Sequence, residues 1–196
     1  MNRRILSFTA ATASLFGTLF VAVEWAKPAP CLIWNASASA PIGLYRIDAD
    51  TAPRVGDLVA IEPPPALAGF LSARGYLPRG VPLLKRVAAL PGALVCRSGT
   101  FVTVDGAGAA RALARDRANR SLPVWTGCRT VGRGEIFLLN AAPDSLDGRY
   151  FGPLPAAGLI GTAHPLFIRS KAAAPLRGRG GDTSDDSANG KRESEK

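Results

Sequence analysis

Glycine and proline interrupt this chain so often after residue 27 that only short elements fit between them. The 196 residues include 21 glycines and 16 prolines. The runs between these breaks are rich in valine, isoleucine, leucine and aromatic residues, which favour strands. We predict strands over residues 43–47, 57–61, 83–90, 100–104, 135–139 and 159–168. The sequence therefore predicts a mostly β domain built from antiparallel strands.

Other segments of the same region have different patterns. Residues 66–76 have helical spacing and a glycine stop, which predicts one short helix. The dipeptide Asp105-Gly106 follows a strand-like run and predicts a hairpin turn. Residues 106–120 are rich in alanine and arginine, and the sequence leaves open whether they form a loop or a helical insert. From Ala172 onward almost nothing is apolar, so we predict a disordered tail over residues 171–196.

The first 27 residues differ from the rest. Residues 5–23 carry no charge, and such a run is about long enough to cross the hydrocarbon layer. Arg3 and Arg4 precede it and orient the N-terminus towards the cytoplasm. A cleaved signal peptide, the alternative, has a shorter apolar region of about 7–15 residues and a small-x-small site. We predict a cytoplasmic stub and one transmembrane helix over residues 1–27, with residues 28–170 as a periplasmic domain of a single-pass protein of the bacterial inner membrane.

Net charge and cysteine content indicate which binding partners and cofactors to expect. The net charge is +9, but the basic residues are scattered singly, so we expect contact with membrane lipid and none with nucleic acid. Cys96 and Cys128 are candidates for a disulfide in an oxidising compartment. Cys31 would then have no cysteine partner. The cysteine spacing fits no zinc motif and His164 is the single histidine. We therefore expect no metal and no other cofactor, and we disfavour a Cys-His protease.

The segment around Ser39 offers a nucleophile. Pro41 and Gly43 predict a fixed bend, which would leave a preceding serine rigid and exposed. Ser37 lies two residues earlier and would share the face of Ser39 on an extended strand. Its hydroxyl can then help to bind an oxyanion beside the Ser39 backbone N–H. A polar linker that leaves the membrane is the alternative interpretation of these two serines.

The segment around Lys85 offers a base. On a strand, Lys85 shares its face with Leu83, Val87 and Ala89. Lysines are rarely buried, and burial lowers the pKa from about 10.4 towards the range in which an amine accepts protons near neutral pH. A lysine whose ammonium reaches solvent at a sheet edge is the alternative.

A third segment offers a hydroxyl and two charges. Ser145 can accept a hydrogen bond from Lys85 and so direct its lone pair, while Asp147 can pair with Arg149 and brace the loop. The alternative is a turn with an exposed ion pair, which contributes little to stability.

Together the three segments resemble the motifs of type I signal peptidases, which are membrane-bound serine/lysine peptidases, and most closely their conjugative-transfer branch. The matching patterns are S-x-P-x-G-L-Y from Ser39, K-R-V from Lys85 and S-x-D-G-R-Y-F-G-P from Ser145. The resemblance implies two antiparallel sheets of the kind shared with LexA-like self-cleaving repressors. Two departures favour the conjugative branch: Ala40 precedes the proline, and the Gly-Asp-Asn-Arg of ordinary signal peptidases is missing from residues 139–143. We therefore assign no role to Asn140.

The resemblance also implies roles for the site residues. Ser39 would be the nucleophile, Lys85 the general base, Ser145 the residue that orients the lysine and Asp147 a structural acid. Ser37 would complete the oxyanion hole. The implied substrate is a preprotein or pilin precursor with small residues before the cut, and the implied outcome in this branch includes a cyclic pilin.

Three other functions stay open at this stage. A general type I signal peptidase would process many preproteins. A non-catalytic, membrane-tethered component of a secretion or pilus apparatus would need neither Ser39 nor Lys85. A self-cleaving repressor would need a DNA-binding module, and none is visible before Ser39.

Overall fold

The computed structural model describes residues 3–26 and 31–169. The predicted tail and the predicted boundary between residues 27 and 28 lie outside these ranges. The helices of the described residues are α1 Arg3–Ala26, α2 Pro65–Ala73 and α3 Gly148–Phe151, with a 3-10 turn at Ala156–Gly158. Their strands are β1 Leu32–Asn35, β2 Gly43–Asp48, β3 Leu58–Ile61, β4 Leu83–Ala89, β5 Leu94–Ser98, β6 Phe101–Val104, β7 Ala107–Arg111, β8 Gly127–Thr130, β9 Glu135–Leu139, β10 Leu154–Pro155 and β11 Leu159–Ile168.

The strands form two antiparallel sheets. The large sheet has the order β1-β2-β11-β3-β4-β9-β10, and the small sheet has the order β7-β6-β5-β8. The prediction of a mostly β chain with two antiparallel sheets is confirmed. Each predicted strand overlaps an observed one, and the predicted helix overlaps α2.

The segment left open in the sequence forms a strand and then a loop. Residues 107–111 are β7, which pairs with β6 across a turn at Asp105 and Gly106. Both turn residues have positive φ angles, 49° and 81°, as a two-residue hairpin turn requires. Alanine and glycine give β7 little strand propensity of its own. Its strand conformation therefore depends on pairing with β6.

The hydrophobic core joins the two sheets through β4 and β9. One cluster packs α2 against the large sheet around Val59, Leu71 and Val87. Another cluster contains Ala89 and Phe137 from the large sheet together with Val95 and Val102 from the small one. The centre of the large sheet is therefore buried on both sides, and a side chain on β4 can be held away from water.

Helix α1 forms where the sequence predicted a helix. Several large apolar side chains along it are exposed, including Phe8, Phe20 and Trp25. Thr9 and Thr12 donate hydrogen bonds to the carbonyls four residues earlier, and such hydroxyl residues make the helix less apolar than the uncharged run of residues 5–23 suggests. Within residues 3–26 and 31–169, no helix is both long enough and apolar enough to qualify as a membrane span. The predicted transmembrane helix is therefore not confirmed.

Candidate active site

The first part of the candidate site is residues 36–42, which we call the serine loop. The loop connects β1 to β2 and is closed by the pairing of Asn35 with Gly43. The Oγ atoms of Ser37 and Ser39 lie 3.0 Å apart and share a hydrogen bond. The sequence predicted this proximity from an extended strand, but Ala38 and Ser39 form a turn instead. The two hydroxyls therefore meet because the chain folds back.

Gly43 is needed for close packing. A Cβ atom there would lie 2.0 Å from the carbonyl oxygen of Phe167 on β11. Because the backbones of β2 and β11 approach this closely, no other residue fits without a shift of one strand. The φ of Gly43 is 158°, at the edge of the range that other residues rarely adopt, so close contact with β11 adds a second reason for glycine to the bend expected from the sequence.

The second part of the site is Lys85, in the middle of β4. Lys85 pairs with Val59 of β3, and only 4% of its surface is exposed. Its Nζ atom donates a hydrogen bond to Ser145 Oγ at 2.7 Å. Burial lowers the pKa of Lys85 to about 8, while the Asp147 carboxylate opposes this shift. A substantial fraction of the amine is therefore uncharged at mildly basic pH, as a proton acceptor requires.

Ser37, Ser39, Lys85 and Ser145 line one cavity of about 500 Å³. Apolar side chains form much of the remaining wall, including Leu71, Leu77, Leu83, Leu113, Leu122 and Leu146. Within the described residues, no hydrogen bond joins Ser39 to Lys85, because Ser39 bonds to Ser37 and Lys85 to Ser145. The structure therefore brings Ser39 and Lys85 to the walls of one cavity without a direct hydrogen bond between them.

The third part of the site is a buried ion pair. Asp147 Oδ1 accepts a hydrogen bond from Arg149 Nε at 2.8 Å, and the side chains are 0% and 3% exposed. Asp147 also caps α3 through the Arg149 backbone N–H, and Arg149 donates to the carbonyl of Pro143. The pair therefore fixes the loop that carries Ser145, and the exposed ion pair considered from the sequence is wrong.

Gly148 is the residue between the two charges. A Cβ atom there would lie 2.5 Å from the ring of Phe137 and 2.7 Å from the Leu138 carbonyl oxygen. The start of α3 therefore packs directly on β9, and the glycine of the third sequence motif has a steric reason.

Sequence reasoning assigned no role to Asn140, yet its side chain holds the strand that carries Lys85. Asn140 Oδ1 accepts from the Arg86 backbone N–H at 3.0 Å, and its Nδ2 donates to the Leu84 carbonyl at 3.1 Å. Its own backbone N–H donates to Asp147 Oδ2. Asn140 thus connects the buried ion pair to the residues on both sides of the lysine. An asparagine directly after the apolar run of β9 is the sequence signal that could have identified it.

Sequence reasoning also missed Asn35, the last residue of β1. Only 8% of its surface is exposed, and its side-chain amide contacts several backbone groups of the serine loop. Nothing in its immediate sequence context distinguishes it from a polar residue at a strand end.

The cysteines lie outside this site. Cys96 of β5 and Cys128 of β8 are paired in register and joined by a disulfide, and Cys31 is free and exposed. Among the described residues there is no group of three or more histidine, cysteine, aspartate or glutamate side chains able to hold a metal ion.

Comparison with known proteins defines the class. The family model described as signal peptidase, peptidase S26, matches residues 2–168. The chain therefore belongs to the S26 family of signal peptidases, and the resemblance inferred from its motifs is confirmed.

Individual relatives show which members of the family this chain is similar to. The chain is 38% identical over 144 residues to the conjugal transfer protein TraF of Agrobacterium fabrum. The match covers 68% of this chain and 80% of that protein. The chain is 41% identical over 145 residues to the probable conjugal transfer protein TraF of Sinorhizobium fredii, with 68% and 75% covered. A crystal structure of a signal peptidase I from Enterococcus faecalis matches 57% of this chain and 97% of its own, with 22% identity and a TM-score of 0.34.

Proposed function

We propose that this chain is a serine endopeptidase of the signal-peptidase type, in which Ser39 is the nucleophile and Lys85 the general base. The observation that carries the proposal is the state of the Lys85 amine. It is buried, its pKa is lowered to about 8, and it lines the cavity that Ser39 also lines. A lysine in the interior of a sheet destabilises the fold unless it is neutral or well paired, which favours a chemical role over a structural one.

The reaction follows from the protonation state of Lys85. The uncharged amine takes the proton of the Ser39 hydroxyl while Oγ attacks the peptide carbonyl carbon. The Ser39 backbone N–H and the Ser37 hydroxyl stabilise the oxyanion. The C–N bond then breaks, the Lys85 ammonium returns the proton to the leaving amine, and water hydrolyses the resulting ester with Lys85 again as base. Throughout these steps Ser145 accepts a hydrogen bond from Nζ and keeps the lysine in place.

The substrate part of the proposal is a secreted or pilin precursor for conjugative transfer, with small residues before the cut. The similarity to two TraF proteins of conjugal transfer supports this substrate. A cyclic product forms if the N-terminal amine of the substrate captures the ester in place of water. Mass spectrometry separates the two fates, because a cyclic product is lighter than the linear one by one water.

The decisive experiment is co-expression of the full chain with a candidate pilin precursor. Wild type should shorten the precursor, while Ser39→Ala and Lys85→Met should leave it intact. Ser98→Ala, an exposed serine of β5 outside the cavity, is the matched control and should behave as wild type. Processing that survives both site substitutions would indicate the non-catalytic component instead, and accumulation of many preproteins on depletion would indicate a general signal peptidase.

The location at the periplasmic face of the inner membrane is also part of the proposal. The disulfide between Cys96 and Cys128 supports an oxidising compartment, and the exposed apolar side chains of α1 support contact with lipid. Cys31 is free and exposed, so a membrane-impermeant maleimide should label it in spheroplasts. A Cys31→Ser variant is the control, and labelling of wild type only after lysis would contradict this location.

A further inference from the structure

The serine loop makes few backbone hydrogen bonds of its own. Outside the strand pairing of the described residues, residues 36–42 take part in one backbone hydrogen bond, from Arg169 N–H to the Ile42 carbonyl. Pro41 has no N–H to donate. A loop with so few internal contacts needs other groups to define its shape, because each ordered residue costs about 1–2 kcal/mol of conformational entropy.

The side-chain amide of Asn35 supplies those contacts. Its Oδ1 atom accepts from the Ser37 backbone N–H at 3.0 Å. Its Nδ2 atom donates towards the carbonyls of Ser37 at 3.0 Å, Ala40 at 3.1 Å and Pro41 at 3.0 Å. The contacted residues flank Ser39 on both sides. Asn35 itself is buried and fixed at the end of β1 by its pairing with Gly43.

We propose that Asn35 is a positioning residue, whose amide holds the serine loop in the conformation that places the Ser39 hydroxyl in the cavity. The effect on catalysis rests on the proposed function, whereas the effect on the loop does not. A carboxamide is suited to this role because it combines a carbonyl acceptor with two N–H donors in one plane. A carboxylate would turn an oxygen towards three carbonyl oxygens, and an apolar side chain would leave buried polar groups without partners.

The neighbouring Tyr45 provides a matched control. Its hydroxyl donates to the same Pro41 carbonyl at 2.7 Å, so Tyr45→Phe removes one contact to the loop and leaves those of Asn35 in place. Ile136→Val in the core provides a second control, because it lowers stability at a distance from the loop.

The experiment measures hydrogen exchange of the Ser37 amide, thermal stability and steady-state kinetics in Asn35→Ala, Asn35→Asp, Tyr45→Phe and Ile136→Val. We expect Asn35→Ala to speed exchange at Ser37 by at least about tenfold, since it removes the acceptor, whereas Asn35→Asp keeps an acceptor for the Ser37 N–H and loses the three donations. We also expect kcat to fall about 100-fold with KM little changed, the size of effect that a small misplacement of a reacting group produces. Tyr45→Phe and Ile136→Val should keep Ser37 protected and kcat within a few-fold of wild type.

Two results would overturn the inference. One is unchanged Ser37 exchange in Asn35→Ala. The other is a loss of kcat in Asn35→Ala that is no larger than in Ile136→Val at equal loss of thermal stability. If wild type cleaves no precursor, the proposed function fails by itself, and hydrogen exchange still decides whether Asn35 holds the loop.

Discussion

The two halves of the candidate site are built in opposite ways. The serine loop is mostly exposed, and one buried asparagine makes most of its contacts. The other half is buried in its entirety. We call it the lysine pocket and define it as Lys85, Asn140, Ser145, Asp147 and Arg149. Within the described residues no buried side-chain nitrogen or oxygen lacks a hydrogen-bond partner.

This difference is consistent with the roles proposed for the two halves. A lysine becomes a useful base only when water is removed from around it, and that requires a rigid, fully paired environment. A serine nucleophile has to reach a substrate carbonyl, so its loop must face an open cavity. We therefore expect changes in the lysine pocket to alter stability and pKa, and changes in the serine loop to alter kcat with smaller effects on folding.

The largest expected effect is on activity in Lys85→Met. Loss of the general base should lower kcat/KM by at least about 1,000-fold. Folding should not be impaired at pH 7, because the variant no longer buries an ammonium group. The measurement combines precursor cleavage with urea unfolding at pH 7. A variant that loses activity only in proportion to a loss of folded protein would contradict the assignment of Lys85 as base.

The next effect is on stability in Asp147→Ala. Removing the acid leaves the Arg149 guanidinium charged and buried, and breaking such a pair costs about 3–5 kcal/mol. The same change also removes the cap of α3. Chemical unfolding of Arg149→Met alone and of the double variant forms a cycle with Asp147→Ala. If the pair is coupled as its burial indicates, the double variant will be more stable than the sum of the single changes predicts.

A smaller effect is expected in Asn140→Ala. Two hydrogen bonds to the backbone on either side of Lys85 are lost, at about 1 kcal/mol each. Asn140→Asp is the sharper variant, because it keeps the acceptor for Arg86 N–H and adds a negative charge against the backbone on either side of Lys85. That charge should raise the pKa of Lys85 and move the midpoint of the pH–rate profile to higher pH, whereas Asn140→Ala should leave the midpoint unchanged. Identical profiles in the two variants would show that Asn140 acts on folding alone.

The contacts of Asn35 and Asn140 could not be predicted from the sequence, whereas much of the fold could. Six strands were predictable because each contains an apolar run that favours a strand by its local sequence alone. They are β2, β3, β4, β6, β9 and β11. Strands β7 and β8 are short and rich in small or polar residues, so pairing decides their conformation. Ser39 and Lys85 stand in recognisable motifs, whereas the contacts of Asn35 and Asn140 depend on which carbonyls converge after folding.

The smallest expected effect, the pH dependence of wild type, tests the lysine pocket most directly. With the pKa of Lys85 at about 8, kcat/KM should rise about tenfold between pH 7 and pH 9, as the uncharged fraction of one group rises. A serine loop whose conformation limits the rate would give a flat profile instead. Asn35→Ala should lower the curve without moving its midpoint, since that residue acts on the loop.

Stability provides an independent measure of the same group. The pKa of Lys85 in the folded protein, about 8, lies below its ordinary value of 10.5. Between these pH values the unfolded chain binds more protons than the folded one, so the free energy of unfolding should rise with pH. Below pH 8 the burial cost is fully present, at about 3 kcal/mol. Lys85→Met removes this term, so the stability difference between wild type and variant should change by about that amount from pH 8 to pH 10.5. A difference that is constant over this range would mean that the lysine is solvated in solution, and the argument for a neutral base would fail with it.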